Sequence, residues 1–296
     1  MFPQPFSYRA PETLVGALEL LEHYGEEAKV LAGGQSLLPM MKLRLARPGL
    51  LVDIARVKDL MTGVKEDNHY LAVGALTPHA WFTENRLDRF PLLSETSPHI
   101  ADPLVRNRGT MAGSLSHADP AADWGAALLA LKAEVQLTSR QRQRTVRLED
   151  FFVDTFFTVA ESTEILTEVR IPIPSSGWVG ARYLKLERKV GDFAVVGVAV
   201  HAVLNDEGRV ITAGIGLAAV GPTPLAARDA ENFLVGKSLT DDAIREAAHL
   251  ATLAADPISD RRGSREYKAA MVRLFVKRGL TAIREDFIRR RTEESA

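Results

Sequence analysis

Two glycine-bearing segments carry the residue types that hold an anion: LAGGQSLLPMMKLRLARPGLLVDI, beginning at Leu31, and RNRGTMAGSLSHADPAADW, beginning at Arg106. Each sets glycines beside a serine or threonine ahead of an amphipathic stretch, so backbone N–H groups can point at phosphate oxygens. In the first, residues 30–32 read as a strand end, Gly33 and Gly34 let the backbone approach a ligand, and residues 37–43 read as a short helix. In the second, Gly109 and Gly113 bracket Thr110, Met111 and Ala112, and Asp119 followed by Pro120 reads as a helix start with Pro at the first helical position. One such turn suits a mononucleotide, and two suit a dinucleotide. Neither is a GxGxxG after a strand or a GxxxxGK[ST], so Rossmann and Walker readings have no direct support. A Gly-Gly between strand and helix is often only a tight turn, and taken alone each segment reads as structural.

The elements around these turns follow from hydrophobic period and breakers. Residues 12–24 predict a helix with Leu14, Leu18 and Leu21 on one face, ended by Gly25. A strand, the first turn, a short helix and a strand at 50–54 make a compact parallel unit. Residues 70–75 read as a strand, 78–90 and 91–100 as helices, and 121–133 as an apolar helix with Leu128, Leu129 and Leu131 in the core. Segments 134–137, 145–148 and 164–171 are expected to form a mixed or antiparallel sheet. IPIPSSGW marks a boundary, since its prolines end regular pairing and Ser-Ser-Gly is a flexible joint. Beyond it, 181–188, 194–204 and 210–220 read as a three-stranded meander, followed by helices at 225–235, 241–255 and 264–290. The last carries Met271, Leu274, Phe275, Ile283 and Phe287 near one face, with Arg289, Arg290 and Arg291 suited to its negative end.

Composition limits the function. A chain of 296 residues buries a large core and divides naturally into two or three subdomains. With 37 basic against 38 acidic residues, the net charge of -1 sets up no field for nucleic acid or an anionic membrane. The absence of cysteine excludes disulfides, a thiolate-ligated iron–sulfur cluster and a cysteine nucleophile from this chain. MFPQPFSYRAPETL lacks the order of a signal peptide and no apolar run approaches spanning length, so a cytoplasmic protein is expected. The seven histidines (23, 69, 79, 99, 117, 201 and 249) show no paired ligand spacing, and no metal site is expected, although His117 lies beside Asp119.

Read in order, AGGQSLLPMMKLRLARP with LVDI, IADPLVRNRGTMAGSLSHADPAAD, EILTEVRIPIP and YLKLERKVGDFAVVGVAV resemble the FAD-binding medium subunits of the molybdenum hydroxylases. That group includes aerobic carbon monoxide dehydrogenase, xanthine dehydrogenase and N-heterocycle dehydrogenases, and the likeness covers nearly the whole chain. The resemblance implies an α+β fold: a two-part PCMH-like FAD-binding domain at 1–176, with subdomains at about 1–58 and 59–176. A C-terminal three-stranded antiparallel sheet with helices would occupy 177–296. It further implies noncovalent FAD, and a large partner holding the molybdenum cofactor with a small partner holding 2Fe–2S clusters. The assembly would be a heterotrimer or a dimer of heterotrimers, and this chain would pass electrons to an external acceptor.

By the same resemblance, Ala32, Gly33, Gly34, Gln35, Ser36 and Leu37 wrap the pyrophosphate, while Thr110, Gly113, Ser114 and Leu115 close over the flavin side. Asp123 matches an acidic residue that bonds a cofactor hydroxyl, Asp119 caps a helix, and Leu166 and Lys185 match positions that approach the flavin. A cation at Lys185 would favour an anionic reduced flavin. Without the family, Lys185 beside Arg188 and Lys189 reads as a solvated strand face, and Asp123 as a first-turn polar residue. Many members have His at Gln35 and a second glycine at Ala112, and carbon monoxide dehydrogenase relatives often have Tyr or Trp at Phe193, where stacking stays possible but a side-chain hydrogen bond does not. No acid–base dyad is evident. The alternative is a stand-alone flavin oxidase or reductase of the same superfamily, which would need its own substrate-facing acid or base.

Overall fold

The computed structural model describes residues 2–174 and 176–294. Strand β1 (Ser7–Arg9) leads into helix α1 (Leu14–Tyr24), which Thr13 caps through the Gly16 amide and which ends at Gly25 with φ +51°. Ala17, Leu18 and Leu21 form its buried stripe. Strand β2 (Ala28–Leu31), helix α2 (Leu37–Lys42) and strand β3 (Leu50–Asp53) follow, and the three strands pair in parallel in the order β1-β3-β2. Parallel pairing needs crossovers, which α1 and α2 supply. The expected parallel unit is present, with β1 as a member that its three residues were too short to announce.

A second sheet collects strands far apart in sequence: β4 (Val64–Glu66), β5 (Tyr70–Gly74), β6 (Glu134–Thr138), β7 (Gln143–Arg147) and, after a small hairpin of β8 (Phe152–Asp154) with β9 (Phe157–Thr158), β10 (Ile165–Pro172). Its order is β4-β5-β10-β6-β7, antiparallel throughout. Between β5 and β6 run the helices α3 (His79–Glu84), α4 (Pro91–Thr96), α5 (Pro103–Arg106), α6 (Met111–His117) and α7 (Asp123–Ala130), and α8 (Leu148–Phe151) follows β7.

Three expectations for this helical stretch are corrected. The helix over 78–90 stops at Glu84, because Asn85 turns its side-chain amide back onto the Trp81 carbonyl at 2.8 Å and takes an extended conformation. The second glycine segment is not an open turn: residues 111–117 are helical. Asp119 does not cap the next helix. Its Oδ1 accepts from the Ala121 N–H at 2.9 Å in a local turn, and α7 begins only at Asp123.

The chain then forms β11 (Trp178–Leu186), β12 (Val196–Leu204) and β13 (Val210–Ala218), the expected antiparallel meander, extended by a two-residue edge strand β14 (Leu225–Ala226) where a helix was expected to begin. Ser175, in the expected Ser-Ser-Gly joint, lies outside the described residues. Helices α9 (Arg228–Leu234), α10 (Asp241–Ala254) and α11 (Arg265–Glu294) cover one face of the meander, with Phe275 and Ile283 buried and Met271, Leu274 and Phe287 packed beside them.

The other face of the meander lies on α7, all eight of whose residues are buried. Gly214 and Gly216 on β13 make that approach possible, since a Cβ at either would overlap the backbone carbonyl oxygen of Ala130 or Ala126. Gly214→Ala is therefore expected to cost at least about 2 kcal/mol in chemical denaturation, because a helix buried along its whole length cannot retreat. Gly236→Ala, with φ +79° but open space around it, is expected to cost only about 1 kcal/mol.

Candidate functional site

The first turn leaves β2 at Leu31 and enters α2 through Ala32, Gly33, Gly34, Gln35 and Ser36. Gly34 has φ +74°, where a side chain is strained, and its carbonyl accepts from Leu38 to start the helix at 3.1 Å. Gln35 folds onto the Gly33 carbonyl at 3.2 Å, and Ser36 makes no capping bond. Among the described residues, the five successive N–H groups from Gly33 to Leu37 reach no protein acceptor. A run of free donors at a helix start is the chemistry that takes an anion.

The two turns touch. A Cβ on Gly33 would overlap the Arg108 carbonyl and lie 2.7 Å from the Cα of Gly109. Gly109 is in turn backed by His79, whose Nε2 would stand 2.7 Å from a Cβ there. His79 is buried, its Nδ1 accepts from the Trp124 indole N–H at 2.9 Å, and burial beside Arg106 lowers its pKa to about 4. Thr110 then caps α6, taking the Gly113 N–H at 3.1 Å. The N–H of Gly113 is thus spent inside the protein, while Ser114 stays half-buried and Leu115 enters the core. Helix α6 ends at Ala118, left-handed at φ +53°, whose carbonyl accepts from Phe156 of the β8–β9 hairpin at 3.0 Å.

Asp123 opens α7 at 6% exposure and meets the C-terminal sheet. Tyr183 donates its hydroxyl to Asp123 Oδ1 at 2.6 Å, and Lys185 Nζ donates to Oδ2 at 3.1 Å and to the His99 carbonyl at 2.8 Å. The Lys185 side chain is 1% exposed, which replaces the solvated-face alternative with a buried ion pair. Burial pushes the Asp123 pKa up, against the pull of Lys185 and Tyr183; burial and then Asp123 push the Tyr183 pKa well above its usual 10.0. Glu187 brings Oε2 within 3.4 Å of Lys185 Nζ. Tyr183 and Lys185 alternate along β11 and so share one face, and Glu187, one residue past the strand's end at Leu186, continues the spacing and reaches the same ammonium. That i, i+2, i+4 spacing could have singled out Tyr183 and Glu187 from the sequence, where only Lys185 was named.

Leu166 is buried on β10 beside a bulge, and Phe193 is half-exposed at the end of the β11–β12 loop. That loop is anchored by Gly191, at φ +80° against the Ala101 carbonyl, and by Arg262, which donates to the Phe193 carbonyl at 2.9 Å. The structure thus brings the first turn against Gly109, and Asp123 against Lys185.

A parallel three-stranded unit carrying free turn amides, backed by an antiparallel sheet and docked on a helix-covered meander, defines a dinucleotide-binding α+β protein with two family domains. The family described as the FAD binding domain in molybdopterin dehydrogenase matches residues 4–174, and that described as the CO dehydrogenase flavoprotein C-terminal domain matches residues 181–283. The chain belongs to this family of FAD-binding dehydrogenase subunits. It is 40% identical to the carbon monoxide dehydrogenase medium chain of Hydrogenophaga pseudoflava over 95% of this chain and 98% of that one. It is 38% identical to subunit alpha of the 6-hydroxypseudooxynicotine dehydrogenase complex of Paenarthrobacter nicotinovorans, over 95% of each. Among solved structures, carbon monoxide dehydrogenase from Hydrogenophaga pseudoflava superposes with TM-score 0.91 at 41% identity, covering 96% of this chain and 98% of that chain. Quinoline 2-oxidoreductase from Pseudomonas putida 86 gives 0.88 at 33%, covering 97% and 99%. Among the described residues, no helix is long and apolar enough to cross a membrane.

Two buried histidines set an acid limit on this core. His79 and His201 both have pKa values lowered to about 4 from 6.5, mainly by burial. The unfolded chain therefore takes up protons below pH 6.5 that the fold refuses until about pH 4, so stability falls across that window by roughly 3 kcal/mol for each histidine. Denaturant titrations from pH 7 to pH 4 are expected to show the loss, and His79→Asn to flatten part of the slope.

Proposed function

We propose that this chain is the FAD-carrying electron-transfer subunit of a cytoplasmic molybdenum hydroxylase complex. It would stand between the 2Fe–2S clusters of a small partner and an external acceptor, with the molybdenum cofactor on a large partner. Bound FAD would supply a two-electron store that exchanges electrons singly or in pairs. The observation that carries the reading is the run of five free amides in the first turn, closed against Gly109 of the second. The residues fit the cofactor: the turn presents donors where a pyrophosphate needs them, and the buried Glu187 Oε2 has no hydrogen-bond partner among the described residues.

In this reading Ala32, Gly33, Gly34, Gln35, Ser36 and Leu37 hold the pyrophosphate, with Thr110, Gly113, Ser114 and Leu115 bordering the flavin. Since Thr110 Oγ1 takes the Gly113 amide, Gly113 contributes by keeping the first turn of α6 free of a side chain rather than by donating. Asp123, held by Tyr183, and Lys185, held by Asp123 and the His99 carbonyl, fix polar groups at the junction of the two family domains, while Leu166 and Phe193 supply apolar surface. The functional division falls at 176/177, with subdomains of about 1–58 and 59–176.

The purified chain is expected to be yellow and to lose its colour on denaturation without covalently attached flavin. Gly33→Ala forces the first turn off Arg108 and should weaken FAD binding at least tenfold, read by flavin fluorescence, with far-UV circular dichroism unchanged; unaltered occupancy would remove the cradle assignment. Anaerobic mixing with carbon monoxide, purines, N-heterocycles or aldehydes should leave the isolated chain's visible spectrum unchanged and bleach it only when both partners are added. Rapid bleaching of the isolated chain would favour a stand-alone flavin enzyme.

A further inference from the structure

Among the described residues, Lys185 and Glu187 leave a donor proton and an acceptor oxygen side by side that no hydrogen bond completes. An ammonium has three protons. Lys185 spends one on the His99 carbonyl at 2.8 Å and one on Asp123 Oδ2 at 3.1 Å. The third has no acceptor in hydrogen-bonding geometry among the described residues: Glu187 Oε2 is near enough, at 3.4 Å, for an ion pair but makes no hydrogen bond. That oxygen is itself buried without a hydrogen-bond partner, although the rest of the side chain reaches 19% exposure. Two carboxylates face one ammonium, and Asp123 is already satisfied by Tyr183 and Lys185, so Glu187 is the group left short. A buried acceptor without a donor is costly, and a ligand N–H relieves that cost.

The ligand edge that matches is an imide, which presents an N–H beside a carbonyl oxygen in one plane. The pyrimidine ring of a flavin has that edge. Resting on the FAD reading above, we infer that Glu187 Oε2 accepts the N3–H of the flavin while the third proton of Lys185 reaches the adjacent carbonyl oxygen. Lys185 and Glu187 together would then recognise the flavin by its imide. Tyr183 acts at one remove as a positioning residue, holding Asp123, which holds Lys185; the absence of a side chain at Gly197 leaves room for its hydroxyl, 2.7 Å from where a Cβ would stand.

The test uses the full chain stripped of FAD and refilled with either FAD or FAD methylated at N3, with dissociation constants read by fluorescence. The native protein is expected to bind the methylated cofactor at least tenfold more weakly, because a charged acceptor would lose its donor. Glu187→Ala should reduce that discrimination to about twofold or less, and Glu187→Gln, which keeps the volume and a neutral carbonyl acceptor, should fall between. With FAD labelled with 15N at N3, the imide proton of the native complex should resonate downfield of free FAD and move back toward it in Glu187→Ala. Equal binding of both cofactors by the native protein overturns the inference, as does an imide proton unmoved by Glu187→Ala. Either result leaves FAD binding itself intact. Failure of the native chain to bind FAD at all would instead overturn both this inference and the functional reading beneath it.

Discussion

Helix α7 has no exposed residue, and that constraint organises the rest of the molecule. A helix buried on every side must find apolar partners for its body and bonded partners for any polar group it carries. Its body is Gly, Ala, Leu and Trp, and the meander meets it through glycines at 214 and 216 because any side chain there would strike helix carbonyls. Its one charge, Asp123, cannot be left alone at that depth, so β11 supplies Tyr183 and Lys185. Gly197 on β12 is the further consequence, since the Tyr183 hydroxyl occupies the space its Cβ would need. A single buried helix thereby fixes the glycine pattern of two strands and the polar pattern of a third.

The same logic of close backbone approach joins the two glycine turns. Gly33 lies against Arg108 and Gly109, and Gly109 lies against His79, whose orientation is held by Trp124 of α7. The first turn is therefore positioned from the core outward through a chain of contacts rather than by its own short helix. Its amides remain unpaired because the backbone is already committed elsewhere: Gly34 in a left-handed conformation and Gly33 at contact distance from the neighbouring turn.

Much of this was legible in the sequence, and the failures have physical causes. Long elements announce themselves, α10 through repeated burial on one face and β12 and β13 through apolar runs buried on both faces. The polar helix start at Asp119 misled because Asp-Pro favours a turn as readily as a cap, and the choice was made by α7, which must begin where Asp123 can reach β11. The parallel unit was readable from its strand, turn and helix order. Of the five-stranded sheet, the β6, β7 and β10 part was readable, but its continuation through β5 and β4 was not, because those strands lie far in sequence from β10 and register between distant strands has no local signal.

Lys185 shows most clearly what a sequence withholds. Next to Arg188 and Lys189, it shares their charge and their neighbourhood, yet its side chain is enclosed while theirs are exposed. The difference lies in what the opposite element offers: a carboxylate at the first residue of a buried helix and a carbonyl at His99. Burial of a lysine is sustained only where such partners converge, and convergence is a property of two segments together. The family resemblance singled out Lys185, whereas the spacing that also offers Tyr183 and Glu187 gains its meaning once Lys185 is seen facing Asp123. Chemistry in this chain therefore resides in paired segments, a turn against a turn and a strand against a helix start, so that its polar groups are positioned by contacts across the family-domain junction rather than by any one motif.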